Sequence, residues 1–173
     1  MGDNQNTLEK SLYERQSVLE KEIDLIQGCI NRMAHNSFVV KGWLITLVTV
    51  ILALLPEKIN ISLLCYVIII VTIAFWYLDG FFLKTEKLYR WKYEWVIHNR
   101  KDNGKYKYDL NPHNSKMWQN SKGENNLKEP CILKVMFTKT LIPLYGLILV
   151  LAVFVLINSH FEFVNIVNIN TTP

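Results

Sequence analysis

Three stretches of this chain carry no Asp, Glu, Lys or Arg: residues 43–55, 61–78 and 141–157. None keeps the polar face that a helix retains when one side meets water. A hydrocarbon core of about 30 Å requires roughly 20 apolar residues in helical form. The second run meets that length. The first does so with residues 38–42 added, which admits Lys41, and the third with residues 138–140 and Asn158 added. The competing reading is three buried helices of a soluble protein, and the uninterrupted apolar surface argues against it. The first run starts near position 43 behind a charged segment, with no small-residue cleavage site after it. This predicts a retained span rather than a signal peptide.

Lys and Arg counts predict the orientation. Residues 1–42 hold five and residues 84–139 hold thirteen; the turn 56–60 holds only Lys58, and residues 159–173 hold none. The N-terminus and the long 84–139 segment are therefore expected on the cytoplasmic side. The 56–60 turn and the C-terminal tail are expected outside. The predicted fold is an all-α membrane protein in five parts: an N-terminal cytoplasmic helix (1–37), a transmembrane hairpin (38–83), a basic cytoplasmic region (84–139), a third transmembrane helix (140–158) and an extracytoplasmic tail (159–173). The tail alternates apolar and polar residues and reads as a strand or as an interfacial segment.

Residues 7–35 read as one helix, capped by Thr7 with Glu9 and Glu14 near the start, where the helix dipole favours acids. Leu12, Leu19, Ile26 and Met33 recur every seven residues, and Ile23 and Ile30 sit four after Leu19 and Ile26. That is an a/d seam. It predicts self-association into a bundle of parallel helices, and folding back onto residues 84–139 is the alternative. Only Gly28 and Gly42 weaken the helix before position 55, so it is expected to run into the first span. Rearranging the cytoplasmic bundle would then move that span directly.

The turn between spans one and two is short, so they form an antiparallel hairpin. Counting outward from Lys58, Lys41 and Asp79 reach the same cytoplasmic edge, and an ion pair between them accounts for both charges. Trp43, Trp76, Tyr77, Phe81 and Phe82 supply the aromatic belt of that depth. The pair either locks the hairpin or breaks when the protein opens. Gly42, Thr46, Thr49 and Ala53 fall on one face of the first span, where small residues let helices approach and hydroxyls can line water. Pro143 and Gly146 predict a kink in the third span.

Residues 84–139 combine thirteen basic with six acidic side chains. A lipid-facing cytoplasmic surface explains this charge. An anion site is the second reading: Arg100, Lys101, Lys105 and Lys107 lie beside Tyr106 and Tyr108, a mixture that suits a nucleotide or a short single strand. The chain has no Gly-rich phosphate loop and no GxSxG. Its dispersed His residues and its Cys residues at 29, 65 and 131 show no metal-ligand spacing. No enzymatic activity, cofactor or metal is expected.

The segments IQGCINRMAHNSFVVKGW, FWYLDGFFLKTEKLYRWKY and FTKTLIPLYG resemble a family of small bacterial transmembrane effectors of nucleotide-signalling anti-phage systems, the Hailong type foremost. The similarity covers roughly residues 26–97 and 136–150. The matching positions are Arg32, Asn36, Lys41, Gly42, Trp43, Asp79, Glu86, Arg90, Thr140 and Tyr145. The seam predicts a homo-oligomer, taken as more than two subunits. The resemblance implies a place in the bacterial inner membrane. It implies an ion-conducting pore that depolarises the cell in abortive defence, under control of a nucleotide or oligonucleotide made by a partner nucleotidyltransferase. The alternative to a pore is a non-conducting anchor that recruits a soluble partner through its coiled coil.

Overall fold

The computed structural model describes residues 2–53, 60–101 and 103–161. Lys58 with most of the hairpin turn, and the tail beyond Phe161, lie outside the described residues. So does the strand-or-interface reading of that tail. Among these residues four α-helices follow in order: α1 (Gly2–Ala53), α2 (Ile61–Asn99), α3 (Ile132–Met136) and α4 (Ile142–Phe161). A single 3-10 turn occupies Ser115–Met117, and no strand occurs among the described residues.

α1 is unbroken because nothing in it stops a helix. It contains no proline, and its glycines cost only about 1 kcal/mol each in a helix interior. α2 runs past its apolar half because residues 84–98 keep helical periodicity. It stops at Asn99, ahead of the turn-forming Asn103 and Gly104. Three of these helices are long and apolar enough to cross a membrane. In each, at most 22 % of the apolar window is buried inside the protein. A soluble core would bury most of such a surface, so the apolar side chains are there for lipid. The chain is a multi-pass membrane protein.

The expected kink in the third span is corrected. The Thr138 carbonyl accepts the N–H groups of Leu141 and Ile142, both at 3.1 Å, and α4 begins at Ile142. Pro143 thus falls in the first helical turn, where its missing N–H forfeits no bond. It starts a helix rather than bending one, and Gly146 is passed without interruption.

The chain divides into two compact units. One comprises Met1–Ser37 and Phe81–Cys131, and the other Phe38–Gly80 and Ile132–Pro173. The core of the first joins Ile26 and Cys29 of α1 to Tyr89, Trp95 and Val96 of α2 and to Met117. Leu19, Ile23, Ile30 and Met33 pack against it. The seam predicted to meet other copies of the chain is therefore engaged from Leu19 to Met33 by the chain itself. The fold-back alternative describes this geometry. The partner face is the non-membrane half of α2, which is long enough to lie along α1. Leu12, at the start of the seam, stays 56 % exposed.

In the second unit the buried apolar residues are few: Val40 and Leu44 of α1, Cys65, Ile68 and Trp76 of α2, and Val135, Met136, Leu141, Tyr145 and Ala152 farther on. Most of its other apolar side chains point outward.

Candidate functional site: a charged cluster at the edge of the apolar unit

The apolar half of α2 ends in Trp76, Tyr77, Leu78, Asp79 and Gly80. Trp76 and Asp79 are one turn apart and so share a face. That face is inward: Trp76 is buried and Asp79 is fully so. Trp76 consequently leaves the predicted aromatic belt, while Trp43 and Tyr77 remain exposed in it.

Three helices meet at Asp79. From α1, Lys41 Nζ lies 2.7 Å from Asp79 Oδ2. From α4, the Tyr145 hydroxyl donates to the same oxygen at 2.9 Å. The Tyr145 ring stacks on Trp76 with the planes 3° apart and the centroids 5.8 Å apart. Trp76 Nε1 in turn donates to the Met136 carbonyl at 2.9 Å, and Phe137 meets the indole edge-on. α3 comes close because α2 has no side chain at Gly80. A Cβ there would stand 2.7 Å from Met136 Cγ.

The physics of this cluster is asymmetric. A buried carboxylate is costly unless it is paired and hydrogen-bonded. Asp79 has both kinds of partner, and each comes from a different helix. Lys41 is 24 % exposed and can reach water by extending its stem. The pairing expected from the register is present. Spacing gives no hint of the Tyr145 contact, because 66 residues separate the partners; the position enters only through the family resemblance.

The face holding Gly42, Thr46, Thr49 and Ala53 is exposed. Thr46 and Thr49 donate to the carbonyls of Gly42 and Ile45 at 3.0 and 2.8 Å. A Cβ at Gly42 would meet nothing within 4 Å. Within one chain this face neither packs on a helix nor lines a channel.

The anion-site candidates lie in the other unit, and the structure divides them. Arg100 has its donors already engaged: it is buried, pairs with Glu22, and donates to the carbonyls of Asn103, Lys105 and Tyr106, although it borders a cleft with Lys101 and Lys107. Its guanidinium also lies over the Trp95 ring, 5.4 Å from the centroid. Glu22 accepts the Tyr108 N–H at 2.6 Å as well. This hub holds the loop in place, with Tyr106 and Tyr108 in the left-handed region at φ 58° and 56°. Bulky residues adopt that conformation only when their surroundings impose it. Tyr106 is half-buried and meets Trp95 in a T-shaped contact, with ring centroids 6.3 Å apart. Lys101, Lys105, Lys107 and Tyr108 remain exposed. With Arg15 and Val18 of α1, Lys101 and Lys107 line a small cleft of about 190 Å³.

Nearby, Lys92 is almost wholly buried, donates to the Asn111 carbonyl at 2.8 Å and lies 3.3 Å from Asp109. Burial alone would raise the Asp109 carboxyl. Hydrogen bonds from Asn114 and the Asn111 N–H, with the Lys92 charge, outweigh it and hold the group below its ordinary value. No cluster of His, Cys, Asp and Glu capable of holding a metal occurs among the described residues. Comparison with protein-family models, with curated proteins and with solved structures finds no match for this chain, so the reading of its site rests on the residues themselves.

Proposed function

We propose that this chain is one subunit of an oligomeric, ion-conducting membrane effector whose closed arrangement is held by Lys41, Asp79 and Tyr145. The observation that carries this reading is the burial of Asp79 between partners from two other helices. An intramembrane acid marks function more often than architecture, because a hydrophobic residue would hold helices together at lower cost. The uncovered face of Gly42, Thr46, Thr49 and Ala53 supports it, since small residues and hydroxyls on an exposed helix face suit both subunit packing and a water path. The N-terminus and the basic region face the cytoplasm of a bacterial cell, as the Lys and Arg distribution favours. A nucleotide or oligonucleotide from a partner nucleotidyltransferase acts on the exposed cations Arg15, Lys101, Lys105 and Lys107. The role is depolarisation of the inner membrane in abortive anti-phage defence. That last part rests on the family resemblance.

The test is membrane depolarisation on induced expression, comparing wild type with Asp79→Ala and Thr46→Leu at matched membrane levels. Depolarisation by wild type that both substitutions change supports the conducting assembly. If wild type never depolarises cells or reconstituted vesicles, with or without an oligonucleotide present, the conducting reading fails.

One observation favours a non-conducting scaffold as the second reading. Leu12, Leu19 and Ile23 of α1 border an open groove of about 710 Å³ together with Arg15, Arg100 and Lys101, and Tyr13 is 76 % exposed. In that case Leu12→Glu releases a soluble partner from the membrane fraction, while Thr46→Leu has no effect.

A further inference from the structure

The short helix α3 buries one face, and among the described residues nothing covers the other. Val135 and Met136 are buried, with Met136 seated over Gly80 and hydrogen-bonded to Trp76 through its carbonyl. Leu133 and Phe137, one turn apart, are 58 % and 62 % exposed. Phe137 meets Trp76 edge-on and leaves most of its surface outside. Lys134 and Lys139 are exposed on the same segment, and neither takes part in an ion pair among the described residues.

Depth is fixed from both ends. α3 is anchored at Gly80, where the apolar half of α2 ends, and the apolar helix α4 begins at Ile142, a short turn after Met136. A segment pinned there cannot leave the membrane boundary. Its backbone suits that place, because the Phe137 and Thr138 N–H groups bond to the carbonyls of Leu133 and Val135 at 3.1 and 3.2 Å. An apolar pair flanked by lysines at the boundary matches one occupant: acyl chains under the apolar pair and anionic headgroups over the amines.

We infer that the outer face of α3 is an interfacial lipid site, with Leu133 and Phe137 among the acyl chains and Lys134 and Lys139 on the phosphates of anionic phospholipid. This rests on the multi-pass membrane reading and is independent of conduction. A second copy of the chain is the competing occupant.

The test uses the full chain in bilayers of zwitterionic lipid containing a minor share of phosphatidylglycerol. A benzophenone amino acid is placed at position 137 and, in a separate sample, at position 150, where Val150 is exposed in the middle of α4. Adducts are identified by mass spectrometry after illumination. Both positions are expected to yield lipid adducts. At 137, phosphatidylglycerol should exceed its share of the bilayer severalfold, and Lys134→Gln with Lys139→Gln should return it to that share. Lipid adducts at 150 but a chain-to-chain adduct at 137, or none, overturns the site and spares the membrane reading. No lipid adduct at 150 overturns the membrane reading itself. Lipid adducts at 137 with no headgroup preference overturn the assignment of the lysines.

Discussion

The Glu22–Arg100 and Lys41–Asp79 pairs are both buried, and they are built differently. Arg100 and Glu22 have side chains 3 % and 2 % exposed. The guanidinium directs its donors to Glu22 and to three backbone carbonyls, over an aromatic face. All of its N–H groups are taken. Lys41 is a flexible ammonium with one side toward the outside, and Asp79 is closed in completely. A saturated pair specifies one arrangement of a loop and two helices. A pair with one mobile partner allows two arrangements. The first is a lock, and the second is the kind of contact a gated protein can open.

Breaking the lock should have the largest effect. Glu22→Ala leaves Arg100 charged and enclosed, and is expected to destabilise the loop-bearing unit by about 3–5 kcal/mol. Thermal unfolding of the detergent-solubilised chain measures this, and limited proteolysis between Asn103 and Tyr108 should speed up in parallel. A loss below about 1 kcal/mol, the range of an exposed ion pair, would put Glu22–Arg100 in the same class as a surface contact.

The second comparison lies within the open pair. Lys41→Ala strands a buried carboxylate and should cost on the order of 3 kcal/mol. Asp79→Ala leaves a lysine that can turn to water but also strands the Tyr145 hydroxyl, and should cost about 2 kcal/mol. The same unfolding measurement checks both, and equal losses would mean that Lys41 is as confined as Arg100. The charge-swapped Lys41→Asp with Asp79→Lys should recover part of the loss of either single change.

Tyr145→Phe keeps the stack on Trp76 and removes only the hydrogen bond to Asp79, an effect of about 2 kcal/mol for a bond to a charged group. It should also raise conduction if the cluster holds the closed arrangement. The smallest effect concerns pH. Asp109 is held below its ordinary pKa of 3.8, so its contribution is complete above that value and is lost as pH falls through the lower folded value. Asp109→Asn should flatten the stability profile below about pH 4 and leave its slope unchanged near neutrality.

The sequence revealed what depends on composition and on register. Three runs without charge give three spans, and counting from one short turn brings Lys41 to Asp79. It hid what depends on the return of distant segments. Glu22 sits on α1 between seam positions and reads as a solvated acid until Arg100, 78 residues away, and the loop after it close over it. Arg100 belongs to a run of cations and reads as a surface charge for the same reason. The seam was legible, but its partner was not, because the helix that covers it begins as a membrane span. Pro143 carries two meanings, start or kink, and only the turn at Thr138 selects one.

Three glycines in these helices leave different marks on how the sequence can drift. At Gly80 a single added methyl would displace Met136, so related chains should keep glycine there whatever else changes. At Gly28 and Gly42 a Cβ would meet nothing within 4 Å, and alanine would strengthen the helix. Drift to alanine at position 28 is then expected. Glycine retained at 42 through the same lineages would record a close neighbour that a single chain does not contain.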